Sequence, residues 1–361
     1  VLSVGGTVVL VGTAAWALKV TGAWWIVGAA VTAILFILWL GRRSWRGAKP
    51  AAAETHGGSK SRRGPESVKP PQGMPARAAD EPEQLAKQLL QQSRYALLLR
   101  PQVAANLGEK QLDEAMQCLD EAMGIVPEGD VLLQSRRDMK QEEEPRNQTD
   151  RLVHVEALYL DRYPVTNEQY YQFVANGGYE NMAFWDQTIW PGVLDFVDRT
   201  GCPGPRFWTE GCYPTGREKH PVVGVSWYEG MAYARWVGKR LPSDPEWVKA
   251  GTWPVLAQGT RPVQRRYPWG DTLDRELAHL WGNGMDETVA VDAFPGGVSV
   301  GGIYQLVGNV WEWTTSSFGM WDTTERRLET PTPMKSVRGG AFDTYFDTQA
   351  TCQFQSGDSP I

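Results

Sequence analysis

Sulfur and imidazole are scarce in this chain. Four cysteines (Cys118, Cys202, Cys212, Cys352) and four histidines are spread through 361 residues, and no C-x-x-C pair occurs. That spacing excludes the paired-cysteine zinc sites and dithiol redox motifs. G-x-x-x-x-G-K-[ST], a G-x-G-x-x-G after a strand, G-x-S-x-G and H-E-x-x-H are all missing too. With them go the phosphate-cradling loop, the dinucleotide fingerprint, the nucleophile elbow and the zincin helix. Positive charge is in deficit: net charge is −6 and the pI about 5.4, so no nucleic-acid partner is expected. Charge is nearly absent from the first forty residues, where Lys19 stands alone.

That charge-free start predicts a membrane segment over residues 1–40. Val20 to Leu40 has the ~20 apolar residues that span a hydrocarbon core. The stretch before Lys19 is barely long enough for a second span. Either two spans form a helical hairpin, or one span follows an apolar interfacial piece. Trp24, Trp25 and Trp39 fall near the ends of the second stretch, at headgroup depth. Arg42, Arg43, Arg46 and Lys49 follow at once. By the positive-inside rule they hold this flank, and the domain after it, on the cytoplasmic side of an inner or cytoplasmic membrane. The lipid bilayer is thus one expected partner, met through residues 1–40.

Residues 41–80 are basic and rich in Pro, Gly and Ala, with no apolar period, which describes a linker. Helical periodicity then runs over 81–144. Ala115, Leu119, Ala122 and Pro127 fall at the offsets of the second helix of a tetratricopeptide-type hairpin. Such a segment is either a docking arm or spacer, or a plain amphipathic pair.

Tryptophan is abundant: 17 residues, together with 38 Gly and 24 Pro. This composition points to a loop-rich α+β domain held by aromatic clusters. From 153 the sequence predicts a strand, a turn at Tyr163–Pro164 and a helix capped by Thr166 or Asn167. A short buried strand is expected at 220–225, then a helix from Ser226. A further helix is expected with Ser243 as N-cap and Glu246 at the capping-box position. Cys202 and Cys212 either close a small disulfide loop or remain free thiols.

Six runs occur in order: N-E-Q-Y from Asn167, H-P-V-V-x-V-S-W from His220, R-L-P-S-x-x-E-W from Arg240, Y-P-W-G from Tyr267, G-N-V-W-E-W from Gly308 and V-R-G-G from Val337. With these runs residues 151–361 resemble the formylglycine-generating enzyme, or sulfatase-modifying factor, family. The resemblance implies an irregular C-type-lectin-like fold. It also implies an activity, oxidation of a substrate cysteine to formylglycine with O₂ and copper. The family's two catalytic cysteines stand four and nine residues after the second Gly of the Gly-Gly pair. Here those positions are Thr344 and Gln349, neither of which offers the soft sulfur that Cu(I) selects. Cys352 alone cannot replace both, so no copper and no catalytic residue are expected. The related sulfoxide synthases need three iron-binding histidines, which His56, His154, His220 and His279 do not supply in any matching motif.

The resemblance further implies a structural Ca²⁺ at Gln305, Gly308, Val310 and Glu312, a set of hard oxygen donors. The alternative for Glu312 is a buried carboxylate hydrogen-bonded without metal. The family's second calcium position falls at His279 and Leu280 and looks lost. Three functions are then open. The first is a non-catalytic scaffold in a larger membrane protein complex, with a carbohydrate or peptide ligand. Its aromatic insert, 179–208, would be either the partner surface or packing for the domain's own loops. The second is an enzyme of altered metal-dependent oxidative chemistry. The third is a ligand-binding sensory membrane protein.

Overall fold

Short helices and shorter strands, joined by long loops, make up the computed structural model, which describes residues 81–133, 151–256, 262–284, 286–319 and 333–361. The membrane segment and linker expected over 1–80 lie outside the described residues. No helix among the described residues is long and apolar enough to cross a membrane.

The helical segment ends sooner than its periodicity suggests. Helices α1 (Glu81–Gln91), α2 (Tyr95–Leu98), α3 (Pro101–Ala104) and α4 (Glu109–Ala122) are followed at once by strands β1 (Met123–Val126) and β2 (Gly129–Leu133). Pro127 therefore sits between two strands and not in a helix, unlike the tetratricopeptide offsets. The strands are claimed by partners that the local sequence does not reveal. β1 pairs antiparallel with β4 (Leu158–Asp161), and β2 with β3 (Arg151–Val155). Val126, Val131, Leu133 and Val155 are thereby buried in the main core. Residues 123–133 thus form part of the folded domain whose start was expected at 151.

Nor is the helical segment a free arm. Arg94 donates from Nε to the Trp236 carbonyl at 2.9 Å and lies 4.5 Å over the Trp236 ring. Lys239 Nζ reaches the Tyr95 hydroxyl at 2.8 Å. Gly238, at φ +83°, lets Leu97 approach so closely that a Cβ there would sit 2.6 Å from its side chain.

Three capping boxes start the main helices, as local sequence dictates. Thr166 and Gln169 cap α5 (Asn167–Ala175), Ser226 and Glu229 cap α6 (Trp227–Trp236), and Ser243 and Glu246 cap α7 (Asp244–Thr252). The strand expected at 220–225 is reduced to one bridge, Thr166 to Pro221. Pro221 has no N–H to give, and Gly224 turns the chain at φ +77°. After the two-residue strands β5 (Val255–Leu256) and β6 (Pro262–Val263), the chain closes with a sheet ordered β7 (Glu312–Ser317), β8 (Lys335–Arg338), β9 (Ser356–Asp358).

The interior is divided by chemistry. An aliphatic core surrounds Trp247 and Val248 of α7 and takes in Leu280, Leu306 and Cys352. An aromatic core joins α5, α6 and the 179–208 insert through Tyr170, Phe173, Tyr179, Trp185, Trp208 and Trp236. Most rings of that insert are therefore committed inward, and Trp190 and Phe207 are the exposed ones.

Candidate functional site

The end of β8 is a rigid turn. Arg338 pairs with Asp244 at 2.7 Å, both buried, and also donates to the carbonyls of Gln353 and Phe354. Burial works against the Asp244 charge, yet Arg338 and its hydrogen bonds hold the carboxyl below its ordinary range. Gly339 and Gly340 follow at φ +94° and +77°, and a Cβ on Gly339 would lie 2.7 Å from the Leu306 carbonyl. The G-N-V-W-E-W loop locks onto this turn. Gly308 donates its N–H to Gly339, and Phe342 donates to Asn309. Asn309 is fully buried and exchanges both amide hydrogen bonds with the Val289 backbone.

Thr344 and Gln349 stand just beyond. Thr344 is buried, and its Oγ1 accepts the Ala341 N–H at 2.7 Å. Gln349 lies half-buried on a backbone turn to Phe346. Cys352 is sealed in the aliphatic core, where burial pushes its thiol far above the usual range. Cys202 and Cys212 remain separate thiols on the Asp198 loop. Asp198 ties that loop by accepting from Thr200, Cys202 and Gly211.

Around Thr344 the surface is aromatic. Trp281, Tyr345 and Phe346 are 50%, 64% and 59% exposed. Their rings meet edge-on at 6.3 Å and 5.3 Å, and an Arg275–Asp347 ion pair flanks them. Sequence reasoning missed this patch, although two adjacent aromatics in a Gly- and Asp-rich stretch were the available signal.

The four calcium positions have different surroundings. Gln305 donates from Nε2 to the carbonyls of Ala290 and Ala293, and its Oε1 accepts from Asn309 at 2.6 Å. Gly308 packs against the His279 backbone. Val310 and Glu312 instead line a cavity of about 190 Å³ between α6 and the 303–313 segment, which Gln305 and Gly308 do not line. There Glu312 accepts the Trp247 indole N–H at 2.6 Å, and burial raises its carboxyl to about 7. Asp161 and Lys239, 2.6 Å apart, share the cavity wall.

The histidines stay apart. His154 is a surface group between Asp130 and Glu128, and His220 lies against Thr288. His279 is buried between the Phe294 and Phe342 rings, with Nε2 donating to Glu287 and Nδ1 unpartnered among the described residues. Leu280 beside it is a core residue. Among the described residues no three His, Cys, Asp or Glu side chains converge as a metal cluster.

An irregular α+β domain built on a Gly-Gly turn locked to a G-N-V-W-E-W loop is the class that this geometry defines. The profile of the sulfatase-modifying factor enzyme 1-like domain matches residues 109–360, and the chain belongs to that family. Its match begins within the helical segment, in agreement with the pairing of β1 and β2. The chain is 34% identical over 221 residues to a formylglycine-generating enzyme of Thermomonospora curvata, covering 52% of this chain and 68% of that protein. It is 37% identical over 178 residues to the hercynine oxygenase of Mycobacterium tuberculosis, covering 47% of this chain and 40% of that protein. The chain thus spans about two fifths of the length of the hercynine oxygenases it matches. The solved structure of PvdO from Pseudomonas aeruginosa aligns over 66% of this chain and 88% of its own, at 18% identity and a TM-score of 0.44, too remote to carry an argument.

Proposed function

We propose that this chain uses the family fold as a binding module without the family's oxidative chemistry. The observation that carries the reading is the pair Thr344 and Gln349 at the positions where sulfur is needed. Thr344 accepts the Ala341 amide N–H, and its hydroxyl is not the sulfur ligand that a soft metal selects. The exposed Trp281, Tyr345 and Phe346 beside it suit a carbohydrate or peptide ligand, since aromatic rings on a rigid turn give much contact area for little lost entropy. Residues 1–40 would anchor the module in a cytoplasmic membrane, with the domain on the cytoplasmic side, as one subunit of a larger membrane complex.

Purification from solubilised native membranes tests this, with metal analysis and an assay of cysteine oxidation in a reporter peptide. Stoichiometric partners without copper or iron are expected. Stoichiometric copper or iron would instead favour an enzyme of altered oxidative chemistry, a reading that draws on the relatives named as enzymes. Calcium at Gln305, Gly308, Val310 and Glu312 is a separate proposal. It would use Gln305 Oε1, which accepts from Asn309 at 2.6 Å and keeps a second lone pair. One calcium per chain, lost with Glu312→Gln, is the expected result, and a calcium-free native protein would discard it.

A further inference from the structure

We propose that Cys202 and Cys212 form a reversible oxidation site, closed to one intramolecular disulfide by low-molecular-weight disulfides such as glutathione disulfide and reopened by excess thiol. The site does not depend on the binding-module reading, because neither Thr344 nor Gln349 takes part in the hydrogen bonds that build it.

Placement is the first argument. Cys352 is sealed in the aliphatic core, and Cys118 packs with the helical segment. Cys202 is half-buried and Cys212 exposed, and they share one short loop. Asp198, itself buried, gathers that loop. Its Oδ1 accepts the Cys202 N–H at 3.1 Å, and its Oδ2 accepts the N–H of Gly211, directly before Cys212, at 2.7 Å. Two amides on the two oxygens of one carboxylate stand at most about 8 Å apart. A disulfide joins Cα atoms roughly 4.4–6.8 Å apart, so closure asks for adjustment of the loop and not for its refolding.

Fixation is the second argument. Thr209 and Cys212 exchange both backbone hydrogen bonds at 3.0 Å. They close a two-residue turn of Glu210 at φ +55° and Gly211 at φ +71°, and positive φ at both positions is the pattern of a tight hairpin turn. Glu210 donates its N–H to the Thr200 hydroxyl at 2.8 Å, and Asp198 donates its N–H to the Cys202 carbonyl at 2.8 Å. Both cysteine backbones are thus ordered before any covalent bond forms, which raises the effective concentration of one thiol at the other.

The chemistry balances as thiol–disulfide exchange. The accessible Cys212 thiolate attacks the external disulfide, forming a mixed disulfide as the external S–S bond breaks and one glutathione leaves. The Cys202 thiolate then attacks the Cys212 sulfur and displaces the second glutathione. The protons shed by the two cysteines end on the two glutathiones, and two electrons pass from protein to reagent. The closed ring encloses Phe207 and Trp208. Trp208 is already held in the aromatic core, its indole donating to Asn167 at 3.2 Å, whereas Phe207 is exposed. Oxidation therefore stiffens the outer rim of the insert.

The test uses the full chain in detergent, reduced, desalted and incubated with glutathione disulfide. Trypsin cuts after Arg206, so the two cysteines leave on separate peptides, 200–206 and 207–217. A linked pair of these peptides, lighter by two hydrogens and parted again by excess reduced glutathione, is expected, while Cys118 and Cys352 stay thiols. Closure should raise Tm by about 5 °C. Cys202→Ser should stop at one glutathione adduct on Cys212, and Cys212→Ser should take up glutathione about tenfold more slowly. Asp198→Asn should slow ring closure about tenfold, with the first adduct formed at the wild-type rate. If that variant fails to fold, the cysteine variants still decide. Adducts without the linked pair, a pair that excess reduced glutathione cannot open, a Tm lowered by closure, or closure undisturbed in Asp198→Asn would overturn the proposal.

Discussion

The Gly-Gly turn and the cavity beneath α6 are neighbours along the chain and opposites in chemistry. At the turn the charged and polar side chains are tied to neighbours: Arg338 to Asp244, Asn309 to Val289, and Thr344 to Ala341. In the cavity wall, Glu312 accepts the Trp247 indole N–H, and burial raises its carboxyl to about 7. Family membership is written in the first region, whereas the second carries a carboxyl whose protonation responds to pH near neutrality. A motif that marks a family can thus be read as the scaffold of a turn, apart from any chemistry carried out beside it.

The contrast can be broken most severely at the turn. Arg338→Ala should cost about 3–5 kcal/mol, because Asp244 is left buried without its counter-charge. Urea unfolding measures it, and a loss under 1 kcal/mol would show that the turn does not rest on this pair. The next effect belongs to the cavity. Glu312 holds its proton to about 7 in the folded chain against an ordinary 4.5. The folded state therefore binds the proton more tightly. The resulting stability is fully present below pH ~4.5 and is lost as pH rises toward about 7. In EDTA a decline of roughly 2–3 kcal/mol is expected between pH 4.5 and 8, flattened in Glu312→Gln. A profile that Glu312→Gln leaves unchanged would place the titration elsewhere.

Smaller still is Thr344→Val, which orphans the Ala341 N–H in a buried turn and should cost about 1–3 kcal/mol. Thr344→Ser keeps the acceptor and should restore most of that. The smallest change in stability, within ~0.5 kcal/mol, is expected for Tyr345→Ala with Phe346→Ala. The same double variant should nonetheless lose the partners that copurify with the wild-type chain. Retained partners would separate this patch from the binding surface.

What could be read ahead of the structure was local. The capping boxes at Thr166, Ser226 and Ser243 lie within four consecutive residues each, so their geometry follows from spacing. The Gly-Gly turn was legible because only glycine tolerates φ near +90° against the Leu306 carbonyl. Residues 123–133 were misjudged because their strand character comes from partners at 151–161, and pairing at that separation leaves no short-range signature. The 179–208 insert posed the same problem, since nothing in a run of aromatics says whether the rings face inward. For the site, Thr344 and Gln349 followed from counting, whereas the cavity at Glu312 required Asp161, α6 with Lys239 just after it, and the 303–313 segment to be brought together from three distant parts of the chain.

Lys239 deserves its own conclusion. Its ammonium touches Asp161 in the cavity wall and the hydroxyl of Tyr95 in the helical segment. It works like a rivet through two plates. Whatever pries the helical segment from the end of α6 also loosens the fastening at Asp161, and a carboxylate balanced until then becomes an unbalanced negative charge in the cavity wall. Strain arriving at one plate is thus converted into a change of electrical sign at the other.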